Sequence, residues 1–119
     1  MQNKVSLFSL LTISSLLLCS CKFNAPSPEE EQGILEEAGY TVVLNPTSDD
    51  SESPLFWVTG TTDTLYANKD KDEIYLFYFA SIDEASYNSD FLNFPEYYSG
   101  QINELLYLGT KQAVKDAKL

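Results

Sequence analysis

The sequence predicts an α+β fold: a small single domain with a four- to five-stranded antiparallel or mixed sheet and helices packed on one side, in the order α-β-β-β-α-β-α. Three observations predict it. Ser27-Pro28-Glu29-Glu30 and Ser81-Ile82-Asp83-Glu84 each set a serine three residues before a glutamate, the capping box that opens a helix. Residues 64–68 and 73–80 are rich in β-formers and flank the polar tip Asn68-Lys69-Asp70-Lys71-Asp72, which reads as an antiparallel hairpin. Within it, Ile74-Tyr75-Leu76-Phe77-Tyr78-Phe79-Ala80 carries apolar residues on both alternating faces, as a central strand does.

The first helix is expected over 28–38. Ser27 is its N-cap, Pro28 takes the first helical position, and Glu29 and Glu30 meet the positive end of the dipole. Ile34, Leu35 and Ala38 supply its apolar stripe, and Gly39 suits the left-handed residue that ends it. Residues 40–44 form a β-branched and aromatic strand; 45–54 gather Pro, Ser and Asp into a loop with Asp49, Asp50 and Glu52; residues 55–59 read as a further short strand closed by Gly60.

On the hairpin's second strand, Ile74, Leu76, Tyr78 and Ala80 share one face, and Tyr75, Phe77 and Phe79 the other. Either helices and loops wrap both faces or an aromatic face is left for a partner. The second helix starts at Ser81 with Ile82, Ala85, Phe91 and Leu92 inward, and the weak helix formers Asn88-Ser89-Asp90 end it. Pro95 breaks the segment 91–98, whose Phe94, Tyr97 and Tyr98 either cover the core or form a recognition surface. Gly100 opens a turn. Residues 103–108 form the last strand, with Leu106 and Leu108 alternating against Leu105 and Tyr107; Thr110 caps a terminal helix with Ala113, Val114 and Ala117 inward.

The residue inventory excludes several chemistries. Seven lysines face 18 acids, and the chain has neither His nor Arg. A polyanion lacking Arg is a poor ligand for phosphate backbones, so no nucleic-acid partner is expected. Without His, serine and cysteine hydrolases lose their usual base and zinc its usual nitrogen ligand. No metal ligand set, cofactor or catalytic residue is expected. The Asn68–Asp72 tip has the alternating oxygens of a calcium loop, but Glu73 stands where that loop needs Gly, and Phe79 where it needs a bidentate Glu.

The first 20 residues read as an address. Lys4 precedes a 14-residue apolar run, 5–18, which is shorter than the roughly 20 residues that span a bilayer. Leu18-Cys19-Ser20-Cys21 then follows. This ending resembles the lipobox of bacterial lipoprotein precursors. The resemblance implies cleavage between Ser20 and Cys21, a diacylglyceryl thioether with palmitate-type chains on Cys21, and a protein lipid-anchored on the extracytoplasmic side of a bacterial envelope membrane. Cys19 is disfavoured because the bulky Leu18 precedes it. The other readings are an ordinary cleaved signal with a free thiol and an uncleaved anchor. The expected organisation is therefore a cleaved signal at 1–20, a lipidated leader at 21–27 and one α+β domain at 28–119. Cleavage removes Lys4 and no acid, so six lysines remain against 18 acids, a balance of −12. Acyl chains, at about 0.8 kcal/mol per buried methylene, must then do the anchoring that charge cannot.

The functional expectation is a non-enzymatic interaction or accessory lipoprotein that offers an aromatic surface to an envelope protein. Its candidate residues are Trp57, Tyr75, Phe77, Phe79, Phe94, Tyr97 and Tyr98. The alternative is a lipoprotein that binds a small ligand or a divalent cation through the acidic loops 49–52 or 68–73. An enzyme using two carboxyl groups is a third reading, with no pair singled out among 18 acids. The sequence specifies no oligomeric state.

Overall fold

The computed structural model describes residues 24–46 and 58–119. Its elements are α1 (Pro28–Glu37), β1 (Thr41–Leu44), β2 (Thr61–Lys69), β3 (Asp72–Phe79), α2 (Ile82–Asn88) with a 3-10 turn at Ser89–Phe91, β4 (Tyr98–Ile102), β5 (Leu105–Gly109) and α3 (Lys111–Asp116). The five strands form one antiparallel sheet in the order β1-β2-β3-β5-β4. The α+β class and the element order agree with the sequence. One strand is added, β4, where the sequence reads only an aromatic segment and a turn at Gly100. The short strand expected at 55–59 falls mostly on residues outside those described, and Val58 and Thr59 are not in a strand.

β3 sits at the centre of the sheet and both its faces are covered. Ile74, Leu76 and Tyr78 join Leu35 of α1, Leu65 and Ala67 of β2, Leu105 of β5, and Ala113 and Ala117 at α3 in one core. Tyr75, Phe77 and Phe79 join Val58, Ala85 of α2, Leu92, Leu106 and Leu108 in the other. The register explains this division. Leu65 and Ala67 lie opposite Leu76 and Ile74, while Leu106 and Leu108 lie opposite Phe77 and Tyr75, so each cross-strand pair feeds the core on its own side. Filling both faces takes helices on both: α1 and α3 cover the first, α2 the second. The expectation of helices on one side is corrected by that distribution.

Local chemistry sets the boundaries. The Ser27 hydroxyl accepts from the Glu30 N–H at 3.1 Å, and the Glu30 carboxyl accepts from the Ser27 N–H at 2.8 Å, which closes the capping box. At the other end Gly39 is left-handed at φ 98°; its N–H bonds the Glu36 carbonyl, and the Tyr40 N–H bonds the Leu35 carbonyl. This pair of bonds turns the chain directly into β1. The β2–β3 hairpin reverses through Asp70, left-handed at φ 55°, and Lys71. Two sequence expectations change. Ile82, read as inward, is half exposed, because the buried stripe of α2 runs through Ala85 and Asn88. Thr110 stands at the N-cap of α3, yet its hydroxyl donates to Asp72 Oδ1 at 2.9 Å and accepts from the Glu73 N–H, tying the helix start to β3 instead of capping it.

A Cβ at Gly109 would lie 2.9 Å from the Glu73 carbonyl oxygen and 2.9 Å from Ile74 Cβ, on the strand that everything else packs around. Gly109→Ala is therefore expected to cost about 1–3 kcal/mol, the range for forcing a methyl into a filled site. In calorimetry this would lower Tm by at least about 4 °C. Gly33→Ala, in the exposed middle of α1 with nothing within 4 Å of the added Cβ, should raise Tm instead.

Candidate functional site

The residues read from sequence as a partner surface separate in space. Tyr75, Phe77 and Phe79 are buried in the α2-side core, so they form no surface: that aromatic face of β3 is wrapped, and the candidacy of all three is withdrawn. Phe94 and Tyr97 are half-buried lids on the same core. Tyr98 is 54% exposed. Tyr97 ends a turn closed by its N–H on the Phe94 carbonyl and faces the core, whereas Tyr98 begins β4 and faces away from it. Trp57, Ser20 and Cys21 lie outside the described residues, as does the acidic loop 49–52.

Tyr97 is fixed by an acid that the sequence reading assigned only to the hairpin. Glu73 Oε1 accepts from the hydroxyls of Tyr66 at 3.1 Å and Tyr75 at 3.4 Å, and Glu73 Oε2 accepts from the Tyr97 hydroxyl. The Tyr66 and Tyr75 rings stack at 5.0 Å between centroids. Three phenols thus spend their donors on one carboxyl group. Burial first, then the charge and hydrogen bond of Glu73, push the Tyr66 phenol up to about 12. Burial and the Glu73 hydrogen bond likewise raise Tyr97. These hydroxyls stay protonated and act as donors, a structural role that pins the 94–97 segment over the core. A signal for this was present in the sequence: Glu73 precedes Tyr75 and Phe77 at strand spacing, and the hairpin register sets Tyr66 opposite Tyr75.

The acidic loop reading fares differently at the hairpin. Asn68 pairs with Glu73, and Lys69 with Asp72, across two extended strands, so the tip cannot curl around an ion. Among the described residues no group of three His, Cys, Asp or Glu side chains comes together to hold a metal.

The site that sequence reasoning missed is Glu31. It lies four residues before Leu35 on the inward stripe of α1 and takes no solvent at all, and neither carboxyl oxygen has a hydrogen-bond partner among the described residues. It borders a hollow of about 340 Å³ between the chain 24–26, Glu30 and Ile34 of α1, and Lys118 beyond α3. The Tyr78 hydroxyl donates to the Pro26 carbonyl at 2.8 Å and holds 24–26 down as a strap. Burial, reinforced by Glu30, pushes the Glu31 carboxyl up to about 7. Burial and the charges of Glu31, Glu29, Glu30 and Asp63 raise the Tyr78 phenol as well, which marks the place as strongly negative. Lys118 is held left-handed at φ 61° by the bonds from its own N–H to Lys115 and from the Leu119 N–H to Val114 that end α3. The signal in the sequence is the spacing: Glu31 stands four residues before Leu35, on the same helix face.

No family model matches this chain, and neither a curated protein nor a solved structure matches it.

Tyr97→Phe should lower stability by about 1 kcal/mol, the usual worth of one hydrogen bond, while Tyr98→Ala should leave urea midpoints unchanged. Equal effects of the two would contradict the inward and outward assignment. Glu31 adds a pH dependence. An acid raised on folding binds its proton more tightly in the native state, so the stability it confers is complete below about pH 4.5 and falls as pH rises to about 7. Thermal melts of the wild type should drop by several degrees from pH 5 to pH 8, and those of Glu31→Gln should be markedly flatter.

Proposed function

We propose that this chain is a membrane-tethered lipoprotein of a bacterial cell envelope, acting without catalysis as an interaction or accessory module. The observation that carries the reading is the run from Lys4 through the 5–18 apolar stretch to Leu18-Cys19-Ser20-Cys21, set shortly ahead of a folded domain whose first helix starts at Pro28. Cys21 carries the lipid. From it, six residues reach Ser27, the N-cap of α1, a span of at most about 20 Å even when fully extended. The domain therefore works close to the bilayer.

Tyr98 is the contact point for an envelope protein. It opens β4, the last strand of the sheet, whose outer side has no strand neighbour among the described residues. An exposed aromatic ring on an unpaired strand edge combines a hot-spot side chain with free backbone donors and acceptors. The −12 balance of the processed chain keeps such an edge from self-association and favours a cationic partner.

The hollow beside Glu31 favours the second reading, a lipoprotein that binds a small ligand, because a solvent-free carboxyl without a partner is costly unless something visits it.

An alkyne-tagged fatty acid fed to cells should label the wild type and leave Cys21→Ser unlabelled; label on Cys21→Ser, or none on the wild type, removes the tether. In the same cells a photocrosslinker at position 98 should give one discrete adduct that the same group at Gln112 does not.

A further inference from the structure

We propose that the hollow between the 24–26 strap, α1 and Lys118 is a binding site for a small primary alkylammonium, whose nitrogen pairs with the carboxyl groups of Glu31 and Glu30. The site deepens the small-ligand reading and does not depend on the lipid: loss of acylation would overturn the tether and leave the hollow as it is.

Three features select this chemistry. Glu31 offers two oxygens that no described residue satisfies, and an ammonium brings three N–H donors together with the compensating charge. The field excludes an anion, because Glu29, Glu30 and Asp63 surround the Tyr78–Glu31 pair and, among the described residues, Lys118 is the one cation lining the hollow. The walls are not wholly polar either. Ile34, Ala25 and Pro26 give an apolar lining against which a short alkyl stem loses its water. A divalent metal is a poorer occupant, since among the described residues only two carboxyl groups line this hollow and a calcium ion takes six to eight oxygens.

Access is gated by the strap. Glu31 lies beneath Ala25 and Pro26, which are only half-buried, and among the described residues the Tyr78 hydroxyl on the Pro26 carbonyl is the side-chain bond that holds them. Lifting 24–26 by that one bond opens the floor of the hollow to the ligand, and the bound ammonium replaces the covering chain as the carboxyl group's neighbour. Ionised Glu31 is the binding form, so an amine and a proton compete for it. For a group that titrates near 7, affinity should rise about tenfold between pH 6 and pH 8.

Isothermal titration of the full chain, in a non-ionic detergent, with n-butylammonium chloride tests the site. The expected result is binding that tightens about tenfold from pH 6 to pH 8, is absent with sodium butyrate, weakens at least tenfold in Glu31→Gln and tightens in Lys118→Gln, which removes the competing cation from an exposed position. The proposal is overturned by no heat from butylammonium at either pH, by equal affinity in Glu31→Gln, or by calcium chloride displacing the amine at lower concentration. Should Glu31→Gln fail to fold, Lys118→Gln decides, since unchanged affinity there removes Lys118 from the site and the proposal with it.

Discussion

The fold depends on a single strand being buried twice. β3 carries an unbroken apolar run from Ile74 to Phe79, and no open sheet could leave either of its faces in water at reasonable cost. The chain solves this with few parts. β2 and β5 flank the strand and supply paired apolar side chains above and below it, α1 and α3 close one side, and α2 with the 92–97 segment closes the other. Each lid is short, and each is fastened to β3 or its neighbours by a polar bond at its end: Tyr78 to Pro26, Thr110 to Asp72, Tyr97 to Glu73.

Two acids show the opposite outcomes available to a carboxyl group in so thin a structure. Glu73, at the start of β3, faces three tyrosine hydroxyls and is fully occupied. Glu31, on α1, faces an apolar core edge and a strap, and no described residue donates to it. The first arrangement rigidifies the lid it holds. The second keeps a solvent-free acid near neutrality, where small changes in surroundings decide whether it carries charge. Structural acids are commonly found in the first condition and functional ones in the second.

Much of this was legible from residue order. The Ser27 capping box, the Gly39 helix end, the hairpin about Asp70 and the two faces of β3 each follow from local rules that tertiary structure did not override. The failures have specific causes. Tyr98–Ile102 was not read as a strand because Ser99, Gly100 and Gln101 are weak β-formers; what makes them a strand is pairing with β5, with Gly100 lying against the ring of Tyr107. Helices were assigned to one side because the sequence does not say which face a connection returns to. Glu31 has no role in the sequence reading, which stops at Glu29 and Glu30 for the helix dipole, and only its spacing from Leu35 distinguishes it. The aromatic residues of 94–98 read as one group, whereas a turn at 94–97 followed directly by β4 sends Tyr97 to the core and leaves Tyr98 exposed.

Glu73 links more of the molecule than its position in a hairpin suggests. Its side chain receives Tyr66, Tyr75 and Tyr97, its carbonyl receives the Thr110 N–H, and Gly109 closes against that same oxygen. A substitution there would strand three hydroxyls at once, and replacing any one tyrosine leaves the other two still in need of the acid. One carboxyl group is thus the shared anchor of two neighbouring strands and of the 94–97 segment that lies over them, so the hairpin and its cover are held by the same side chain.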